Sequence, residues 1–322
     1  MKKVLCFTAM VILLSMGALQ AHAAADYPTR AITAVVNFGP GGIGDTTARI
    51  LAEPLQRELG QPIVIVNRGG GATIPGFSSA LRADPDGYTV AAGSPGSAII
   101  ATIFTDAPRF DLDAMVYVGA YMFQDRIVMV KADKPYKTWQ EFVAFAKANP
   151  GKLSFGSGGA QEAMEAFRAA TIKDGLDLKF VMYKGGAEAA TDLLGGHIDV
   201  IEAGVGSPAY QAARKGEVNI LVNLGYTKIP HFEKIPSLLD LGYPYPAGVV
   251  YGFIFPDKTP EAIRARWEKA LEKVLQDKDV IDKMANIGLN VQFVKGADYK
   301  EFCKKVVTDM NSLLEYNKQA KK

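Results

Sequence analysis

The segment Phe38-Gly39-Pro40-Gly41-Gly42-Ile43-Gly44-Asp45 constrains this chain more than any other. It lies between the β-branched run Ile32-Thr33-Ala34-Val35-Val36 and a helical pattern of Ala48, Leu51, Leu55 and Leu59. A strand that ends in glycines and opens a helix leaves bare backbone N–H groups at a positive dipole end, and that arrangement holds anions. Gly39 to Gly44 does not follow the Gly-x-Gly-x-x-Gly spacing, and no Walker lysine follows it. A dinucleotide or nucleoside triphosphate is therefore not the expected occupant.

The start of the chain narrows the choice further. Lys2 and Lys3 precede a mostly apolar run from Val4 to Leu19, and Ala21-His22-Ala23 supplies a small-x-small cleavage pattern. Residues 1–25 read as a cleaved secretory signal, because the apolar run is shorter than the roughly 20 residues a spanning helix needs. Its removal takes Cys6 and leaves Cys303 alone, so no intramolecular disulfide is expected. It also takes two of the 36 basic residues, which leaves them equal to the 34 acidic ones. A net charge near zero argues against nucleic acid or an anionic membrane surface as partner. A small periplasmic anion fits better than a nucleotide.

Behind the signal, β-rich runs alternate with helical patterns, the mark of parallel α/β layers. Candidate strands cover 32–36, 63–66, 89–92, 127–130, 153–155, 180–182, 198–201, 220–223 and 249–255. Candidate helices cover 46–59, 139–148, 161–173, 187–194, 208–215, 262–276 and 299–316, with Pro54 expected to kink the first. Two lobes are expected: 26–125 with 250–322, and 126–249, the chain crossing near 115–126 and 243–252. Ligands of such sheets bind where strands run into helices. Five loops qualify: 38–45, 93–97, 156–159, 183–186 and 202–204.

An ordered set of short matches now points to a family. It begins with Tyr27-Pro28-Thr29-Arg30, Pro40-Gly41-Gly42 with Asp45, Leu59-Gly60-Gln61-Pro62 and Asn67-Arg68. It continues with Asp84-Pro85-Asp86-Gly87-Tyr88-Thr89, Asn149-Pro150-Gly151-Lys152-Leu153 and Tyr183-Lys184-Gly185-Gly186. It ends with Asp192-Leu193-Leu194-Gly195-Gly196 and Ile235-Pro236-Ser237. In these stretches the chain resembles the extracytoplasmic solute receptors of tripartite tricarboxylate transporters, the Bug receptors. The resemblance implies an α/β, two-lobed periplasmic binding protein of type II-like, Venus-flytrap form, each lobe a mostly parallel sheet flanked by helices. It implies capture of a small organic acid, delivery to integral-membrane permease subunits, a monomeric chain and no catalysis. It also implies that the loops matching Pro40–Asp45 and Ser157–Gly159 hold a carboxylate through backbone N–H groups and ordered water. The chain departs from the family at Ile43-Gly44, where glycine then threonine are common, so a bulky side chain is expected to narrow that end of the cleft. The second loop is also shorter than usual and continues as Gln161-Glu162.

The candidate ligand-binding residues are Phe38, Gly41, Gly42, Ile43, Asp45, Ser94, Ser97, Arg126, Ser157, Gly158, Gly159, Tyr183, Lys184 and Glu202. Each has a plainer reading beside the functional one. Glycine supplies positive φ, and Asp45 suits a helix cap as well as a ligand donor or a fixed water. Ser94, Ser97, Ser157 and Gly158 suit turns and caps. Arg126 suits a bidentate carboxylate grip or a surface pair with Asp125 or Asp133. Tyr183 and Lys184 end a strand facing the cleft, and Glu202 suits either an amine-bearing ligand or a structural hydrogen bond. Neither His197 nor His231 has metal-ligand spacing, and no Gly-x-Ser-x-Gly elbow is present, so no cofactor, metal or catalytic group is expected. An exported hydrolase or lyase, and a sensor feeding a membrane signalling protein, are the competing readings.

Overall fold

The computed structural model describes residues 27–157, 161–183, 186–243 and 246–319. The expected signal at 1–25 and the candidates Gly158, Gly159 and Lys184 lie outside the described residues. In chain order the elements begin β1 (Ile32–Val36), α1 (Ile43–Leu59), β2 (Ile63–Asn67), α2 (Ile74–Leu81), β3 (Thr89–Ala92), α3 (Pro95–Ala101) and β4 (Met115–Lys131). They continue α4 (Trp139–Ala148), β5 (Ser154–Ser157), α5 (Gln161–Asp174), β6 (Lys179–Met182), α6 (Gly186–Gly195) and β7 (Val200–Gly204). The chain then forms α7 (Pro208–Arg214), β8 (Val218–Asn223), β9 (Gly248–Pro256), α8 (Glu261–Val274), α9 (Lys278–Asn286), β10 (Val294–Lys295) and α10 (Gly296–Gln319).

The strand β4 organises the molecule. From Met115 to Asp125 it pairs antiparallel with β9, and from Arg126 to Val130 it pairs antiparallel with β7. On the first side β9 meets β3, and β3, β1 and β2 run parallel. On the second side β7, β5 and β6 run parallel, while β8 takes the other edge of β4. The parallel strands thus form the outer part of each sheet, and antiparallel pairing joins the two lobes of the α/β fold. Register shifts between Tyr117 and Gly119, between Ala120 and Met122, and between Val128 and Met129 mark irregularities on either side of the changeover of β4 from β9 to β7.

Sequence reading finds only 127–130 of this strand. Its central residues Gln124, Asp125 and Arg126 look like a polar break, yet they are 6, 2 and 8 % exposed. Each has a buried partner of its own, which is the condition for placing polar groups in a core strand. The helix α1 starts three residues ahead of its expected start and runs through Pro54 as one element.

Apolar packing follows the strands. Trp267 and Tyr27 lie under the first sheet, where the indole N–H donates to the Tyr27 hydroxyl at 2.7 Å. Phe155 and Phe167 stack at 3.8 Å under the second. On the last helix Val306, Met310 and Leu313 are buried along one stripe. Its Tyr299 and Cys303 join the first-sheet core around Tyr117 and Ile254, whereas Val306, Met310 and Leu313 join the second-lobe core. At its far end the Asn317 amide donates to the Glu165 carboxylate of α5 at 2.8 Å. The helix α10 therefore packs on both lobes.

Candidate functional site

The first glycine loop closes on itself through Asp45. Gly41 adopts φ +80°, a conformation open to glycine, and its N–H donates to Asp45 Oδ2 at 2.9 Å. Asp45 Oδ1 accepts from Arg49 Nε at 2.9 Å and from Asn67 Nδ2 at 2.9 Å. Burial pushes the Asp45 carboxyl up, but the Arg49 guanidinium and the Gly41 and Asn67 N–H groups outweigh it and hold it below its ordinary value. The side chain is committed to shaping the loop. Gly42 is the N-cap of α1 and has no side chain to cap the helix. The N–H groups of the first turn have no intrahelical partner, and they start beside Gly42, which is exposed, and Ile43, which is half-buried. Phe38 is half-buried, packed over Gly44.

Ser94 caps α3 and is fully buried. Its hydroxyl donates to the Val250 carbonyl at 3.0 Å and accepts from the Ser97 N–H at 3.2 Å. This ties the end of β3 to β9 next to the crossing between lobes. The Ser97 hydroxyl lies 3.0 Å from that of Ser94 and is half-exposed.

A polar cluster faces these loops from the second lobe. Arg126 Nε donates to Glu202 Oε2 at 2.8 Å, and the Ser157 hydroxyl donates to Glu202 Oε1 at 2.6 Å. Arg126 pairs with Glu202 rather than with Asp125 or Asp133, because the antiparallel register of β4 with β7 sets Glu202 opposite Val128, two residues along from Arg126, and both side chains are buried. Asp125 instead accepts from the Tyr226 and Thr227 N–H groups and from the Thr227 hydroxyl, while Lys131 takes Asp133. Tyr183 ends β6 with its hydroxyl on Asp192 at 2.7 Å, and burial together with that carboxylate pushes the phenol up to about 12.

Sequence reading misses three members of this region. Gln124 donates to the Val205 carbonyl at 2.8 Å and accepts from the Tyr251 hydroxyl at 3.0 Å. Glu162, at the start of α5, is 7 % exposed, and burial raises its carboxyl despite the attraction of Arg126. The run Gln161-Glu162 after a glycine-rich loop was the one signal for Glu162, whereas Gln124 and Tyr251 gave none because each is defined by its partner across β4.

Together these contacts place the loops opposite one another. The Tyr251 ring lies against Gly44 of the first loop, Tyr251 holds Gln124, and Gln124 holds the loop that follows β7. A Cβ placed on Gly206 in that loop would come within 3.4 Å of Ile43 Cδ1. The structure gathers Phe38, Gly41, Gly42, Ile43 and Asp45 on one side and Arg126, Ser157 and Glu202 on the other. Ser94 and Ser97 flank the crossing, and Tyr183 stands at the end of β6. Among the described residues no group of three or more His, Cys, Asp or Glu is placed to hold a metal ion. His197 sits where α6 turns toward β7, its N–H on the Asp192 carbonyl at 2.9 Å.

Two α/β lobes joined by crossing strands are the architecture of periplasmic binding proteins, which solved structures similar to this chain share. Residues 47–318 match the model of the tripartite tricarboxylate transporter family receptor, and the chain belongs to that family. It is 29 % identical over 308 residues to the UPF0065 protein in the gbd 5′ region of Cupriavidus necator, covering 94 % of this chain and 92 % of the relative. It is 30 % identical to protein BugT of Bordetella pertussis over 86 % of each chain. The structure of the periplasmic binding protein BugD superposes with a TM-score of 0.73 at 25 % identity, covering 91 % of this chain and 98 % of BugD. MatC from Rhodopseudomonas palustris with bound malate shares the fold, with a TM-score of 0.71 at 24 % identity over 90 % of this chain and all of MatC. The family and its structural neighbours are receptors rather than enzymes.

Proposed function

We propose that this protein is a periplasmic receptor that captures a small organic acid between its lobes and delivers it to the permease subunits of a tripartite tricarboxylate-type transporter. The observation that carries the reading is the uncapped start of α1 at Gly42, open beside a loop that Asp45 holds in shape. An oriented set of N–H groups at a helix start favours a carboxylate without placing a full positive charge in the site. The ligand-contacting set is Phe38, Gly41, Gly42, Ile43, Ser97 and the Ser157–Gly159 loop, with Asp45, Ser94, Arg126 and Glu202 as its supports. Tyr183 and Lys184 belong to the proposed ligand-binding set as well. The lobes divide at Asp125/Arg126 and Val249/Val250, and the mature chain starts after residue 25 and acts as a monomer.

The test is a thermal-shift screen of the mature protein, stripped of carried-over ligand by unfolding and refolding. The panel holds aliphatic and aromatic mono-, di- and tricarboxylates, acidic amino acids, sugars and cationic amines. An acid at about a thousand times its dissociation constant adds roughly 4 kcal/mol, a rise of several degrees for a chain of this size. A response confined to acids supports the reading. A response to sugars or amines alone overturns it.

A further inference from the structure

We infer that Ile43, which faces Gly206 of the opposite lobe, limits the length of acid the site accepts. The inference rests on the proposed carboxylate site and names which acids enter it. Ile43 is the first residue of α1, next to the open N–H groups at Gly42, and it is half-buried. Gly206, two residues beyond β7, holds φ +87°. A Cβ there would lie 3.0 Å from the Ile287 carbonyl oxygen, 3.4 Å from Ile43 Cδ1 and 3.6 Å from Leu289 Cδ2. Gly288, between those two residues, lies so close to Tyr210 of α7 that a Cβ on it would come within 2.4 Å of the ring. Leu289 and Tyr210 are buried and Ile43, Gly206 and Ile287 half-buried, so the two lobes are in contact here.

The chemistry of that contact sets the limit. The side chains nearest Gly206 are those of Ile43 and Leu289, with the Ile287 carbonyl oxygen beside them. A carboxylate pushed toward these side chains loses water, and the Ile287 carbonyl oxygen repels it. An acid whose head sits on the α1 start and whose chain extends toward Gly206 meets Ile43 before it can place a second charge there. The site therefore takes short acids and rejects long α,ω-dicarboxylates. A glycine or threonine at position 43 would leave that end open.

The experiment titrates the stripped mature protein with malonate, succinate, glutarate, adipate and pimelate by calorimetry, for the native chain and for Ile43→Val and Ile43→Ala. Ile43→Val removes only the methyl group that faces Gly206, so it reports even where the larger truncation fails to fold. The expected result is native affinity that falls along the series. Ile43→Ala should then improve adipate relative to succinate by about tenfold or more, the discrimination a few methyl groups supply in an apolar pocket, with Ile43→Val intermediate. Parallel profiles for the three proteins, or native binding of adipate equal to succinate, overturn the inference and leave the receptor reading intact. Binding of none of the five diacids to any of the three proteins overturns the inference, while the receptor reading stands or falls on the wider acid panel.

Discussion

Arg126 shows how a residue's role can be fixed by a partner far along the chain. Its guanidinium is held by Glu202, 76 positions away, and the Ser157 hydroxyl takes the other carboxylate oxygen. The sequence offered Asp125 and Asp133 as neighbours, but contact follows the antiparallel pairing of β4 with β7, which spacing does not reveal. Removing one partner of a buried pair strands the other without a counter-charge. Arg126→Ala is expected to cost about 3–5 kcal/mol in urea denaturation, and a loss under about 1 kcal/mol would mean the pair is solvated. Glu162 and Asp45 respond to pH in opposite senses. Burial raises Glu162 above its ordinary 4.5, with Arg126 opposing and Glu202 adding to the rise. Its favourable contribution is full below that ordinary value and is lost as pH rises through the folded one. Asp45 is lowered from 3.8, so its contribution is present above that value and is lost as pH falls through the folded one. Glu162→Gln is neutral throughout. Its melting temperature should gain on the native protein as pH rises above the ordinary 4.5, and a constant difference would contradict a carboxyl whose burial outweighs the attraction of Arg126.

At the scale of elements, local chemistry was readable where a strand or helix carries its own signal. The bounds of β1 and β3 follow from β-branched runs between turns, and α4 follows from Thr138, whose hydroxyl and Glu141 complete a capping box. The missed elements lack such signals. In α3 a proline and a glycine open a helix of seven residues, and its cap, Ser94, read equally well as a turn. In β4 the buried polar trio interrupted an apolar run that tertiary pairing continues. The short β10 exists because it pairs with Gly119 and Ala120 of β4. Ser94 links the levels, since one hydroxyl caps α3 and also satisfies the Val250 carbonyl of β9. Ser94→Ala loses a cap worth about 1 kcal/mol and leaves a buried carbonyl without its donor, worth about 1 kcal/mol more. A fall in the urea midpoint equivalent to about 2 kcal/mol at constant m-value is expected. An unchanged midpoint would mean that neither the cap on α3 nor the bond to Val250 contributes to stability.

For the molecule as a whole, β4 and α10 each touch both lobes, so ligand contacts on either side bear on one connected body. The α/β class and the first glycine loop were legible in the sequence because they depend on local periodicity and backbone freedom. The second half of the site was legible only as separate serines, glycines and charges, because its geometry comes from strands distant in sequence. The central claim is that one acid is held by both halves at once. The most direct measurement is hydrogen exchange of the stripped mature protein with and without the acid that most raises its melting temperature, read on peptides covering 38–45 and 154–161. Both segments are expected to gain protection together at the same acid concentration. Protection of one segment alone, or of neither while the protein is saturated, would contradict that claim.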